Sequence, residues 1–245
     1  MSMNLALDGK ITSAFAPSGT LRVAVNFGNP ILASRNEQGS PQGISVEIAE
    51  RLAAALDTPL RLVPFDAAGK VVTAVGAGDV DVGFFAIDPI RGREIAFTDP
   101  YLLIEGNYLV RSESPILSKT EVDREGVRVA VGSGSAYDLF LTRELKSAQI
   151  IRGSTSPEVV NTFLREGLDV AAGVRQQLEF DAARLGGLRL IEDSFMVIRQ
   201  AMGIGKDRGP RAADWLNAFV TQLKQDGTVA AAMRKYRITG ASIAD

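Results

Sequence analysis

The feature that most limits how this chain can fold is an alternation of short Val/Ile/Leu-rich runs with helical periods, played through twice. A parallel strand buried on both faces reads as an almost unbroken apolar run. The helix that carries the chain back reads with a period near 3.6, so the alternation marks βαβ units. Leu21–Asn26 (LRVAVN) opens the first round as a strand. Residues 43–56 follow as a helix, with Ile44, Ile48, Leu52 and Leu56 four apart. Strands are expected at 60–65 and 80–85, a helix at 68–75, and a short helix beginning at Asp88-Pro89. The second round starts after residue 125, with strands at 127–132, 149–152, 169–173 and 188–191. Its helices are expected at 135–146, from Ser156-Pro157 onward, and at 176–183. Even the opening strands agree, LRVAV beside VRVAV.

Two extended apolar stretches without helical period, 100–111 and 195–203, join the rounds. The tail is helical again, with Trp215, Phe219 and Leu223 on one face and a stop at Asp226-Gly227. The expected organisation is α/β, with two βαβ lobes joined by two extended crossings. Lobe one is residues 1–104 plus 204–245, and lobe two is 105–203, inserted between them. A chain of 245 residues is long enough for two such cores.

Composition removes most catalytic chemistries. The chain has no cysteine and no histidine. Disulfides, thiolate nucleophiles and zinc fingers are excluded, and so are Ser-His-Asp hydrolysis and imidazole general bases. With 27 Lys and Arg against 29 Asp and Glu there is no basic footprint for nucleic acid. A chain so poor in chemical tools leans towards binding, with no cofactor and no metal expected. Residues 1–20 place an acidic residue, a Lys and several hydroxyls where an export signal needs an apolar core. Two localisations therefore stand as expectations: periplasmic, with a signal that precedes this chain, or cytoplasmic.

Few residues suggest ligand chemistry on their own. In Ala-Ile-Asp-Pro-Ile-Arg (86–91), Asp88 suits an N-cap, which puts Arg91 in the first turn, where the helix end disfavours a cation. Such an Arg pairs with Asp88 or Glu94, lies in plain solvent, or holds a ligand carboxylate through two parallel hydrogen bonds. Phe84-Phe85 ends the preceding strand, one ring for the core and the other free to face a ligand. At 131–139 a strand runs through Gly132 and Gly134 into a helix capped by Ser135, with Asp138 three residues on. It is an ordinary capped turn or an anion site at free helix N–H groups. The third glycine of a dinucleotide fingerprint is missing. Arg175, at a strand's carboxyl end, is either solvated or turned to a ligand. Asp79 and Asp81 are read as structural, and Gly203–Lys206 as a strand end or hairpin rather than a P-loop.

The segments GTLRVAVN, GISVEIAERLAAALD, VTAVGAGDVDVGFFAIDPIRGREIAFTDPY and QLKQDGTVAAAMRKY together resemble the family 3 extracellular solute-binding proteins, the amino-acid-type receptors of ABC importers. The resemblance covers about residues 19–240. It implies a type II periplasmic-binding-protein fold, with a ligand in the cleft between lobes that close on a hinge. It places the carboxylate-holding Arg at Arg91, the anion-binding helix start at Ser135, Ala136 and Tyr137, and a polar contact at Asn26. Asn29 stands where relatives carry an aromatic, and Phe84 and Ala86 stand in the family's Ser/Thr-rich run. The lobe-two Asp that pairs with an α-ammonium falls near Gly173 or Val174, beside Arg175.

The expected function is capture of a small carboxylate-bearing solute, an amino acid or related organic acid, by a monomer that hands it to an ABC permease. The departures favour a solute without an α-ammonium or with a second acidic group, which Arg175 would welcome. The rival is an enzyme like the cyclohexadienyl dehydratases, with Glu105 as a buried acid, separable by turnover of prephenate or arogenate. A cytoplasmic sensor without a transporter is the third reading.

Overall fold

The computed structural model describes residues 7–245. Residues 1–6, the start of the stretch read for an export signal, lie outside the described residues. The elements run in the order α1 (Gly9–Phe15), β1 (Leu21–Asn26), β2 (Ser34–Arg35), β3 (Pro41–Gln42), α2 (Ile44–Ala55), β4 (Leu60–Phe65), α3 (Ala68–Gly76), β5 (Gly83–Ala86), β6 (Ile95–Phe97) and β7 (Leu102–Arg111). Then come β8 (Arg128–Gly132), α4 (Ala136–Glu144), β9 (Gln149–Gly153), α5 (Val159–Arg165), β10 (Val170–Val174), α6 (Arg175–Leu185), β11 (Leu188–Leu190), β12 (Met196–Gly205), α7 (Pro210–Gln225), α8 (Thr228–Lys235) and β13 (Ala241–Ile243). No described helix is long and apolar enough to cross a membrane.

The chain divides into two compact units. Unit 1 runs to Leu103 and resumes over Arg199–Asp245, and unit 2 is Ile104–Ile198. The return crossing thus falls at 198/199 rather than the expected 203/204. Gln200, Ala201, Met202 and Gly203 pair antiparallel with β5 and belong to that sheet.

In unit 1, β1 and β4 are parallel, from Leu21 opposite Leu60 to Asn26 opposite Phe65, and Val23 bridges in parallel to Val82. Because β1 is buried on both faces, its residues alternate between two apolar layers. Ala24 packs with Val71, Ala74 and Val75 of α3 and with Phe85. Val25 packs with Val46 of α2 and with Ala33. The carboxylate of Asp81 is wholly buried. It accepts from the Arg22 backbone N–H and Nε at 2.9 Å each, from Arg22 Nη2 at 2.7 Å and from Arg208 Nη2 at 2.9 Å. Arg22 also donates to the carbonyls of Asp79 and Gly78. The structural reading of these acidic residues fits that geometry.

Unit 2 repeats the plan. β8 lies parallel to β9 and β10, and β10 and β11 pair antiparallel with β7. Val129, Ala130 and Val131 sit in one core with Tyr137, Leu141, Val160 and Phe163. The bracket of unit 1 recurs, since the Arg128 backbone N–H and Nε donate to Asp169 at 2.8 and 3.3 Å while Nη2 meets the Gly167 carbonyl.

Candidate functional site

In unit 1 the expected helix at Asp88-Pro89 is a single 3-10 turn, Arg91–Arg93. The chain must return at once into β6, whose Ile95, Ala96 and Phe97 pair with Gly205, Ile204 and Gly203, so there is room for one turn only. The N-cap is Ile90 rather than the expected Asp88, which instead holds the turn ahead of it: Oδ1 accepts from Ile90 N–H at 2.8 Å and Arg91 N–H at 3.4 Å, and the Asp88 carbonyl accepts from Gly92 at 2.9 Å. That turn folds the Arg91 side chain back over β5, where Nη1 donates to the Ala86 carbonyl at 3.2 Å. Arg91 is only 4% exposed. Burial lowers its pKa to about 10, with the Asp88 charge working the other way, so the guanidinium is a shielded cation at neutral pH.

Phe84 and Phe85 take opposite faces of β5, and both are buried. Phe85 enters the core beside Val71 and Val75, while Phe84 turns to the other face and meets Tyr101 edge-on, centroids 6.2 Å apart. Phe84 and Ala86 share one face of β5, and the Ala86 carbonyl holds Arg91. Asn26 ends β1 with Oδ1 already accepting from Gly28 N–H at 2.9 Å, which makes it a turn-former first. Gly28 is required there, since a Cβ would fall 2.7 Å from the Asp66 carbonyl oxygen and 2.9 Å from Asn26 Oδ1. Asn29 holds the next turn through its carbonyl, which accepts from Leu32 and Ala33. Its Oδ1 is shielded and accepts no hydrogen bond from a described residue.

In unit 2, Ser135 caps α4, with Oγ accepting from Asp138 N–H at 3.0 Å, and Asp138 Oδ2 reaches back to Gly134 N–H at 2.9 Å. Among the described residues the Ala136 and Tyr137 backbone N–H groups have no hydrogen-bond partner, which leaves two donors at the positive end of α4. The Tyr137 side chain is not part of this. Its ring lies in the core, and burial pushes the phenol up despite hydrogen bonds to Ser156 and Ser135. Gly132 serves packing rather than a ligand, because a Cβ would meet the Ser156 backbone at 2.8 Å.

Arg175 corrects the expectation of a spare cation. It opens α6 rather than ending a strand. Its Nε donates to Glu179 at 2.8 Å and its Nη1 to Glu105 at 2.8 Å, so two carboxylates hold its charge and raise its pKa. Glu105 is likewise not the buried acid that the dehydratase reading needs, being 42% exposed and paired with Arg175. Gln200 is a residue that sequence reasoning missed. It is 6% exposed, and Oε1 accepts no hydrogen bond from a described residue. Its only trace in the sequence is an amide that follows Arg199 and precedes the apolar and glycine-rich run 201–205.

The family model for bacterial extracellular solute-binding proteins, family 3, matches residues 21–239. The L-cystine-binding protein TcyJ of Escherichia coli K12 is 24% identical over 238 residues, covering 96% of this chain and 89% of that one. Cyclohexadienyl dehydratase of Pseudomonas aeruginosa is 30% identical over 150 residues, 60% of this chain and 54% of the other. Among solved structures, the L-cysteine solute receptor of Neisseria gonorrhoeae superposes with a TM-score of 0.80 at 22% identity, covering 94% of each chain. The fold is that of the periplasmic binding proteins.

Proposed function

Because the chain belongs to the family 3 bacterial extracellular solute-binding proteins, we propose that it is the receptor of an ABC importer and captures a small carboxylate-bearing solute, an amino acid or related organic acid. The observation that carries this reading is the Arg91 guanidinium, 4% exposed and anchored on the Ala86 carbonyl. A fork of N–H donors shielded from water matches a carboxylate in shape and charge. The donors at the start of α4 suit an anion as well. The relatives favour amino acids as the solute class, since TcyJ is named for L-cystine and the Neisseria receptor for L-cysteine. With Arg175 held by Glu105 and Glu179, its charge gives no reason to expect a second acidic group on the solute. The protein acts in the periplasm on this reading, as a binder rather than a catalyst. The paired and half-exposed Glu105 supports that, as does a chain without histidine or cysteine.

A thermal-shift screen of the twenty amino acids and a set of organic acids identifies the solute class, because a ligand that binds only the folded state raises Tm. With the best binder in hand, Arg91→Ala is expected to cost about 1.5–3 kcal/mol of affinity, roughly tenfold to a hundredfold by calorimetry. Arg91→Lys restores only part of it, since the planar fork is gone. Binding by Arg91→Ala within about a factor of two of wild type would sink the carboxylate clamp.

A further inference from the structure

β12 enters unit 1 at Arg199, and the next residue, Gln200, lies directly opposite Ala86 of β5. Opposed residues of an antiparallel pair project from the same face of the sheet. Gln200 therefore shares its face with Ala86 and, two residues earlier on β5, with Phe84, whose partner is Met202. Phe85 and its partner Ala201 turn to the opposite face, where Phe85 joins the core. Ile87, the next residue, is the one that donates to Arg199, so the backbone of Ala86 turns away from β12 and its carbonyl is free to anchor Arg91 at the other edge of β5.

Gln200 is more than nine-tenths buried, yet Oε1 is shielded and accepts nothing from the described residues. A buried acceptor without a donor is a standing cost to the fold. The residues after it in the strand, Ala201, Met202, Gly203 and Ile204, are small or apolar and offer its side chain no donor. Orphaned polar groups of this kind are retained where something outside the fold satisfies them.

Resting on the carboxylate reading of Arg91, we propose that Gln200 is a solute-binding residue whose Oε1 accepts an N–H or O–H carried next to the carboxylate. The site would then favour 2-amino or 2-hydroxy acids over the unsubstituted acid. Gln200 would be a specificity residue, and Arg91 the residue that recognises the shared group.

The test uses the full chain as wild type, Gln200→Leu and Arg91→Ala. The probes are matched trios: L-alanine, L-lactate and propionate; L-phenylalanine, L-3-phenyllactate and 3-phenylpropionate; L-glutamate, L-2-hydroxyglutarate and glutarate. Without ligand, Gln200→Leu is expected to melt at or above wild type, because an orphaned acceptor has been removed. With ligand, it should lose about tenfold in affinity for donor-bearing members of the trios that bind, and keep its affinity for the unsubstituted acid. A ligand-free Gln200→Leu melting several degrees below wild type overturns the proposal, since the amide would then be bonded within the protein. Equal loss across a trio, or none, overturns it as well. Arg91→Ala separates the two ideas. If it abolishes binding while Gln200→Leu leaves the trios ranked as in wild type, only the Gln200 role fails. If Arg91→Ala binds as wild type, or no trio shifts wild type, the carboxylate reading fails and takes the Gln200 role with it.

Discussion

The two arginine–aspartate brackets show how burial sets the value of the same contact. Arg22 and Arg128 each occupy the second position of LRVAV or VRVAV, and each holds the aspartate that leads into the third strand of its round. Asp81 is fully buried and held by two arginines, whereas Asp169 and Arg128 are 39% and 40% exposed. Removing one partner of a buried network strands the other charges, while a solvated pair contributes little. Asp81→Asn should therefore destabilise the protein by about 3 kcal/mol and Asp169→Asn by less than about 1 kcal/mol, read as shifts of urea midpoints at constant m. Equal losses at the two positions would contradict this account. The site residues were legible in the sequence to the extent that their partners were local. Arg91 could be singled out because Asp88, which accepts from its N–H, lies three residues before it. For Arg175 only half the pairing is local, since Glu179 lies four residues on but Glu105 lies 70 residues back. Gln200 could not be read at all, since its burial and its missing partner exist only once β12 has taken its register on β5.

Among the elements, the long periodic ones were legible and the short ones were not. The spacing that predicts a helix over 43–56 describes α2, and the Asp226-Gly227 stop falls between α7 and α8, with Gly227 in the left-handed region at φ 79°. The expected strand at 80–85 is β5 at Gly83–Ala86, preceded by a single bridge at Val82, where Asp81 and Val82 N–H both donate to the Arg22 carbonyl of β1 and the ladder does not extend further back. The helix opened by Ser156-Pro157 begins as a 3-10 turn over Ser156–Glu158 before α5 takes over at Val159. α1 and the β2–β3 pair carry no periodic signal long enough to read. Asp8 makes α1 by accepting from Lys10 and Ile11 N–H, and β2–β3 rests on two opposed pairs, Ser34 with Gln42 and Arg35 with Pro41. Local capping and short pairing of this kind are decided by a few hydrogen bonds rather than by a hydrophobic pattern.

For the molecule as a whole, the missing histidine and cysteine leave no side chain with an ordinary pKa in the neutral range. Of the groups with a shifted pKa, the arginines, lysine and tyrosines titrate on the basic side and the carboxylates on the acid side. Lys235 and Tyr236 hold Glu47 below the usual carboxylate range, and the N–H groups of Ala148, Ser147 and Lys146 do the same for Asp123. A carboxylate depressed by folding contributes stability above its unfolded pKa and loses it as pH falls through the folded one. Tm should be flat from about pH 6 to 9 and fall below about pH 5, and a step between pH 6 and 7 would contradict this reading. The interrupted course of unit 1 carries a kinetic consequence. Unit 2 is one continuous segment, and β8 finds β9 and β10 within it, whereas β5 must wait for β12, on the far side of that whole segment, before Phe84 meets Met202. Closing so long a loop is slow on entropic grounds, and distant pairings lower folding rates. In pulse-labelled hydrogen exchange, the Ala130 and Val131 amides should gain protection before that of Ile87, which donates to the Arg199 carbonyl of β12. On the ribosome the inserted unit would be complete while its host still lacks a strand.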